Sequence, residues 1–148
     1  TKTNHELGLY PSNVFVTPKP QQQEREAGLK DLKTKEIKSF MNMKNGTSDR
    51  FDGGSTPKRK NIHPTVKPIK LFEHLIKIFC PAGGVILDPF SGSGTTNCAA
   101  ILNGFDSIGI EMNPEYLDII MPKITHYENL YLEQQRQCTF SQWMEGLC

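Results

Sequence analysis

Asp88 and Glu111 each end an apolar run, and the first of them opens the loop "DPFSGSGTT" at 88–96. An acid at the end of one strand can meet a cationic amine. An acid at the end of the next can accept hydrogen bonds from ribose hydroxyls. Glycines between them let the backbone pass close to a ligand. Three ligands compete for such a loop. A phosphate-cradling P-loop needs a lysine after its last glycine, and here Thr95 and Thr96 follow Gly94. A dinucleotide fingerprint needs G-x-G-x-x-G; Gly92 and Gly94 fit, but Asn97 holds the third position. An adenosyl cofactor without a pyrophosphate asks only for the close backbone and the two acids, and the residues favour it. The plainer alternative, a tight turn and nothing more, is weakened by acids 23 residues apart, near the span of one β-α-β crossover.

The elements that must position these groups follow from the pattern around them. "KPIKLFEHLIKIFCPAGG" carries Leu71, Leu75, Ile78 and Phe79 at helical spacing, with Pro68 near its start and Pro81 ending it. "GVILD" reads as a buried strand, "TTNCAAILNG" as a helix closed by Gly104, and "DSIGIE" as a second strand. A last helix begins at Asn113 and Pro114, with a kink or split expected at Pro122. This order predicts an α/β protein, a partial doubly wound Rossmann-like fold with a parallel β-α-β core and flanking helices. Residues 63–137 form that half, 138–148 a tail, and 1–62 a loop-rich segment with no core of its own. In that segment only "NVFVT" (13–17) reads as a strand, and 21–42 as one weak helix with a thin apolar face.

The whole chain has 148 residues and a net charge of +1. The charge is uneven: residues 1–70 carry 14 Lys and Arg against 7 Asp and Glu, while residues 71–148 carry 3 against 9. A basic half points to a polyanion partner; the plainer reading is two halves offsetting each other in one fold. No apolar run approaches the roughly 20 residues that span a bilayer. Cys80, Cys98, Cys138 and Cys148 form no C-x-x-C pair. With no secretory signal, reduced thiols and a cytoplasmic location are expected. The first residue is Thr1, not Met, so an excised expression product or a fragment is expected.

Three strings in one order, "NIHPTVKPIKL", "GGVILDPFSGSGTT" and "SIGIEMNPEY", resemble the amino DNA methyltransferases, which use S-adenosylmethionine to methylate exocyclic nitrogens of adenine or cytosine. The similarity is strong over 61–121 and extends weakly to "EREAGL" at 24–29. The order resembles the C-terminal part of the permuted class usually called β, as in phage and restriction-modification enzymes. The resemblance implies that Asp88 meets the methionine amino group and that Pro89 and Phe90 pack beside the cofactor. It implies that Ser91, Gly92, Ser93, Gly94 and Thr95 line the methionine, that Glu111 holds the ribose, and that His63, Thr65 and Lys67 lie near the carboxylate end. The chemistry agrees, since Lys67 brings charge to an anion and Phe90 an apolar face to a sulfonium. Plainer readings stand beside these: His63 as a loop cap, Lys67 as a solvated charge, Phe90 as core.

The same family presents the target base with [DNS]-P-P-[YFW], where an acid or amide and a prolyl carbonyl accept the amine hydrogens and the aromatic stacks on a flipped base. The sequence contains no Pro-Pro. "NPEY" at 113–116 has the right ends, but Glu115 replaces the second proline, and Asn113 and Pro114 have a helix to cap. The expectation is therefore a cofactor-binding portion that is inactive alone, completed by a second polypeptide or an N-terminal half. Its partner is double-stranded DNA, with Lys58, Arg59 and Lys60 touching phosphates or forming a solvated loop. The alternatives are a non-catalytic DNA-binding or assembly remnant and an unrelated nucleotide-binding domain.

Overall fold

The structure is a computed structural model that describes residues 2–5, 8–11, 15–36 and 58–144. Its elements are β1 (Lys2–His5), β2 (Gly8–Pro11), α1 (Gln22–Arg25), β3 (Lys35–Glu36), β4 (Lys58–Arg59), α2 (Ile69–Phe79), β5 (Val85–Asp88), α3 (Thr95–Leu102), β6 (Asp106–Gly109) and α4 (Pro114–Met144). β5 and β6 pair in parallel, Val85 opposite Asp106 and Asp88 opposite Gly109, with α3 as the crossover. This is the expected β-α-β core.

α3 lies between α2, α4 and the two strands because its residues are small. Cys98, Ala99 and Ala100 are fully buried, and Ile69, Ile76 and Tyr127 close the core around them. Gly104, at φ +70°, ends the helix in a Schellman arrangement: its amide donates to the Ile101 carbonyl and that of Phe105 to Ala100, both at 3.0 Å.

Five expectations are corrected. The strand "GVILD" is not buried: Val85 and Leu87 are 57% and 61% exposed, and Ile108 on β6 is 56% exposed. Residues alternate across a strand, and α3 covers only the face that carries Ile86 and Ser107. The split allowed for at Pro122 does not occur, and α4 runs on past it. Ile119, Ile120, Lys123 and Tyr127 flank that proline and are all buried, so packing outweighs the lost backbone hydrogen bond. Residues 1–62 hold more regular structure than one strand and one helix. β1 and β2 form an antiparallel hairpin, and β3 pairs with β4. Neither pair has the alternating apolar pattern that marks a strand in a sequence.

Within "NVFVT", Phe15–Thr17 carry no strand, while Asn13 and Val14 lie outside the described residues. Phe15 instead stacks on His74 of α2, ring centroids 3.9 Å apart. The helix expected over 21–42 is a single turn, α1. Gly28 turns the chain at φ +78°, and a Cβ there would lie 2.7 Å from the Pro122 carbonyl. Leu29, next along, is 1% exposed. Residues 37–42 lie outside the described residues.

Candidate functional site

The glycine loop leaves β5 at Asp88 and is pinned to the exit of β6. Ile110 donates to the Asp88 carbonyl at 2.8 Å, and the Ser91 amide donates to the Ile110 carbonyl at 2.9 Å. Asp88 Oδ1 accepts the Phe90 amide at 3.0 Å, which makes the first turn. Gly92 and Gly94 then adopt φ of +56° and +72°, the left-handed region that favours glycine.

Glu111 closes the loop. Its Oε2 accepts the Gly92 amide at 2.7 Å and its Oε1 the Asn113 amide at 2.8 Å. Each carboxylate oxygen has a second lone pair, so both keep acceptor capacity. A buried chain lies beneath: Ser91 Oγ donates to Asn97 Oδ1 at 2.9 Å, and Asn97 Nδ2 donates to Ser107 Oγ at 3.0 Å. A Cβ on Gly109 would stand 2.7 Å from Asn97 Oδ1. Asn97 thus explains the departure from the dinucleotide pattern: where that pattern has its third glycine, this side chain ties α3 to β6. Sequence reading did not assign it a role. A polar residue at a buried helical position was the available signal.

The "HPTVKP" segment forms the opposite wall. Asn61, fully buried, donates to the Arg25 carbonyl at 2.8 Å and accepts the His63 amide at 3.0 Å. His63 Nδ1 accepts the Thr65 amide at 3.4 Å, so the neutral ring carries its proton on Nε2. That edge stands over the loop: a Cβ on Gly92 would lie 2.7 Å from Nε2. The ring also meets Tyr116 edge-on at 4.8 Å. Burial holds His63 below its ordinary pKa against the pull of Glu111, with Lys67, Arg25 and Lys123 adding to the depression.

The result is a cleft of about 350 Å³ lined by His63, Thr65, Lys67, Asp88, Phe90, Ser91, Gly92, Ser93 and Thr95, together with Phe72, Leu87 and Thr96. Pro89 is exposed at the turn, and Gly94 sits behind the loop against Ile120. Glu111 lines a second cavity of about 360 Å³, which shares Ser91 with the first. Phe90 is 87% exposed and is not core. His63 does cap its own loop, and it does so while facing Gly92.

The basic trio lies apart from this cleft. Lys58 pairs with Glu36 at 3.7 Å, Arg59 is exposed opposite Lys35, and Lys60 donates through its amide to Glu26 and through Nζ to the Lys30 carbonyl. In "NPEY", Asn113 Oδ1 accepts the Glu115 amide at 3.0 Å, which is the capping role.

A parallel β-α-β unit with a glycine loop after its first strand, and an acid at or just beyond the end of each strand, is the partial Rossmann-like core that the sequence predicts. Residues 4–122 match the N6/N4 DNA methylase family, and the chain belongs to it. The type II methyltransferase M.ScaI of Streptomyces caespitosus is 45% identical over 65 residues, covering 44% of this chain and 21% of that protein. The DNA adenine methyltransferase YhdJ of Escherichia coli K12 is 41% identical over 68 residues, covering 44% and 23%. Each match therefore spans under a quarter of the relative's length. A DNA modification methylase homologue from Thermus thermophilus, crystallised with S-adenosyl-L-methionine, is 35% identical over 42% of this chain and 26% of its own, with a TM-score of 0.40.

Proposed function

We propose that this chain is the S-adenosylmethionine-binding portion of a DNA methyltransferase that methylates an exocyclic amino nitrogen of adenine or cytosine. The carrying observation is the cleft in which His63, Thr65, Lys67, Asp88 and Phe90 surround the Gly92–Gly94 loop.

The residues fit such a cofactor. The left-handed glycines let the loop turn without side chains, and Gly92 leaves room for the His63 ring, which a Cβ there would meet at 2.7 Å. When bound, the cofactor supplies a methyl group on a sulfonium. Asp88 offers carboxylate to its amino group, Lys67 offers charge to its carboxylate, and Phe90 lays an apolar face beside it. Glu111 offers its spare lone pairs to the ribose hydroxyls. Asn97 and Asn61 act behind these groups by holding α3 to β6 and "HPTVKP" to α1.

Activation of the target amine falls to groups outside this chain, in a second polypeptide or an N-terminal half that carries [DNS]-P-P-[YFW]. Alone, the chain binds the cofactor and does not transfer methyl groups. Double-stranded DNA is the substrate of the completed enzyme, and the cytoplasm its place of action. Among the described residues, no helix is long and apolar enough to cross a membrane.

Calorimetric titration with S-adenosylhomocysteine tests the reading. Binding by the wild-type chain, weakened at least tenfold in Glu111→Ala, supports it. No heat and no melting shift from folded protein at millimolar ligand sinks it. Salt-dependent DNA binding without cofactor binding would favour the non-catalytic remnant.

A further inference from the structure

We propose that Asn97 is a positioning residue of the cofactor site: through Ser91 it fixes the peptide that holds Glu111, and so sets the reach of Glu111 to the cofactor ribose, an inference that rests on the methyltransferase reading. Asn97 is 4% exposed. It borders the cavity of about 360 Å³ that Glu111 also lines, and it does not line the glycine-loop cleft. It therefore acts on a ligand in that cleft through its partners, not by contact.

Those partners form one path. Asn97 Oδ1 accepts the Ser91 hydroxyl at 2.9 Å. The peptide between Ser91 and Gly92 is planar, so its two polar groups turn together. Its carbonyl accepts the Gly94 amide at 2.8 Å, and its N–H donates to Glu111 Oε2 at 2.7 Å. The Ser91 amide donates to the Ile110 carbonyl at 2.9 Å, one residue before Glu111. On its other side Asn97 donates to Ser107 of β6 at 3.0 Å. One side chain thus ties the loop that follows Asp88 to the strand that leads to Glu111. A ligand-holding group keeps its geometry when a buried network locks its support in this way. β6 makes the room for it. Gly109 stands opposite Asp88, and a Cβ there would lie 2.7 Å from Asn97 Oδ1 and 3.0 Å from both Asn97 Nδ2 and Ser91 Oγ. Where a dinucleotide fold has a glycine on the helix, this chain has Asn97 on the helix and a glycine on the strand.

The test is a double-mutant cycle read in S-adenosylhomocysteine affinity by calorimetry. Asn97→Ala and Gly109→Ala should each weaken binding by about tenfold, the scale of a lost hydrogen bond. Gly109→Ala acts by pushing Asn97 aside, so the double variant should bind little more weakly than Asn97→Ala alone. Asn103 is the control on the same helix: its side chain donates to the Ala99 carbonyl at 2.7 Å, away from the loop. Asn103→Ala should lower the melting temperature and leave the affinity unchanged. Wild-type affinity in folded Asn97→Ala overturns the proposal. So do losses that add in the double variant, or an equal loss in Asn103→Ala, which would mark a general effect of a weakened helix. If Asn97→Ala does not fold, as judged by circular dichroism, Ser107→Ala decides, because it removes only the strand end of the path: weakened binding supports the proposal and wild-type affinity overturns it. The two readings separate in the same titrations. Binding by the wild type with unchanged variants removes the role of Asn97 alone, whereas no binding by the folded wild type removes the methyltransferase reading and this role with it.

Discussion

The carboxylate of Glu24 accepts the amide of Ile69 at 2.6 Å, joining residues 45 apart in the chain. The first amides of a helix have no intrahelical acceptor, and Pro68, at the cap of α2, has no side chain that could serve. Glu24 fills that role from α1. Glu26 holds Lys60 and the Arg25 carbonyl holds Asn61, so "EREAGL" clasps the residues on either side of "HPTVKP". Glu24→Ala should lower unfolding free energy by about 1.5–3 kcal/mol, the range for a hydrogen bond to a charged group, in a urea titration. Glu24→Gln should recover part of it.

Two glycines separate backbone strain from crowding. Gly83, at φ +75°, has nothing within 4 Å of a Cβ placed on it, whereas Gly92 faces His63 at 2.7 Å. Gly83→Ala should lose only the left-handed penalty of about 1–2 kcal/mol. Gly92→Ala should lose more and should also impair S-adenosylhomocysteine binding, because His63 must move. Equal losses in the two variants would show that His63 does not stand over the loop.

Protonation of His63 should oppose folding. Its folded pKa lies below the ordinary 6.5 because burial disfavours the imidazolium. As pH falls past 6.5, the unfolded chain takes up the proton first, so stability is present above that value and is lost as pH drops through the folded pKa. Unfolding free energy measured from about pH 7 to pH 5 should fall more steeply for wild type than for His63→Gln. Parallel curves would refute this.

Lys123 is 1% exposed, the largest fully buried side chain among the described residues. Burial lowers its pKa, opposed by Cys98 and Glu24; the Cys98 thiol beside it is pushed up to about 11. An apolar residue of similar length removes the cost of desolvating a charge, so Lys123→Met should be neutral or more stable by about 1 kcal/mol. A clear loss of stability in denaturant would show that the amine is held by a polar partner.

Local signals carried most of α2, β5, α3 and β6. Pro68 and Pro81 bracket a helical pattern, Gly104 closes α3, and apolar runs mark the two strands. The hairpin at 2–11 and the β3–β4 pair were not legible, because their residues lack period-two alternation. Pro122 does not split α4 because the rule it follows is local, while the buried residues around it belong to a packed helix. The buried reading of "GVILD" failed because an apolar run does not state how many of its faces are covered.

The sequence by itself determined the loop, the acids at its two ends and the family, because residue types in one order carry the ligand chemistry. Only the tertiary structure decided that Glu111 ties the Gly92 and Asn113 amides, that His63 stands over Gly92, and that Glu24 and Asn61 hold the wall from α1. Those contacts join residues far apart in the chain. Their partners are set by how α1, α2 and α3 pack, a property that no local pattern encodes.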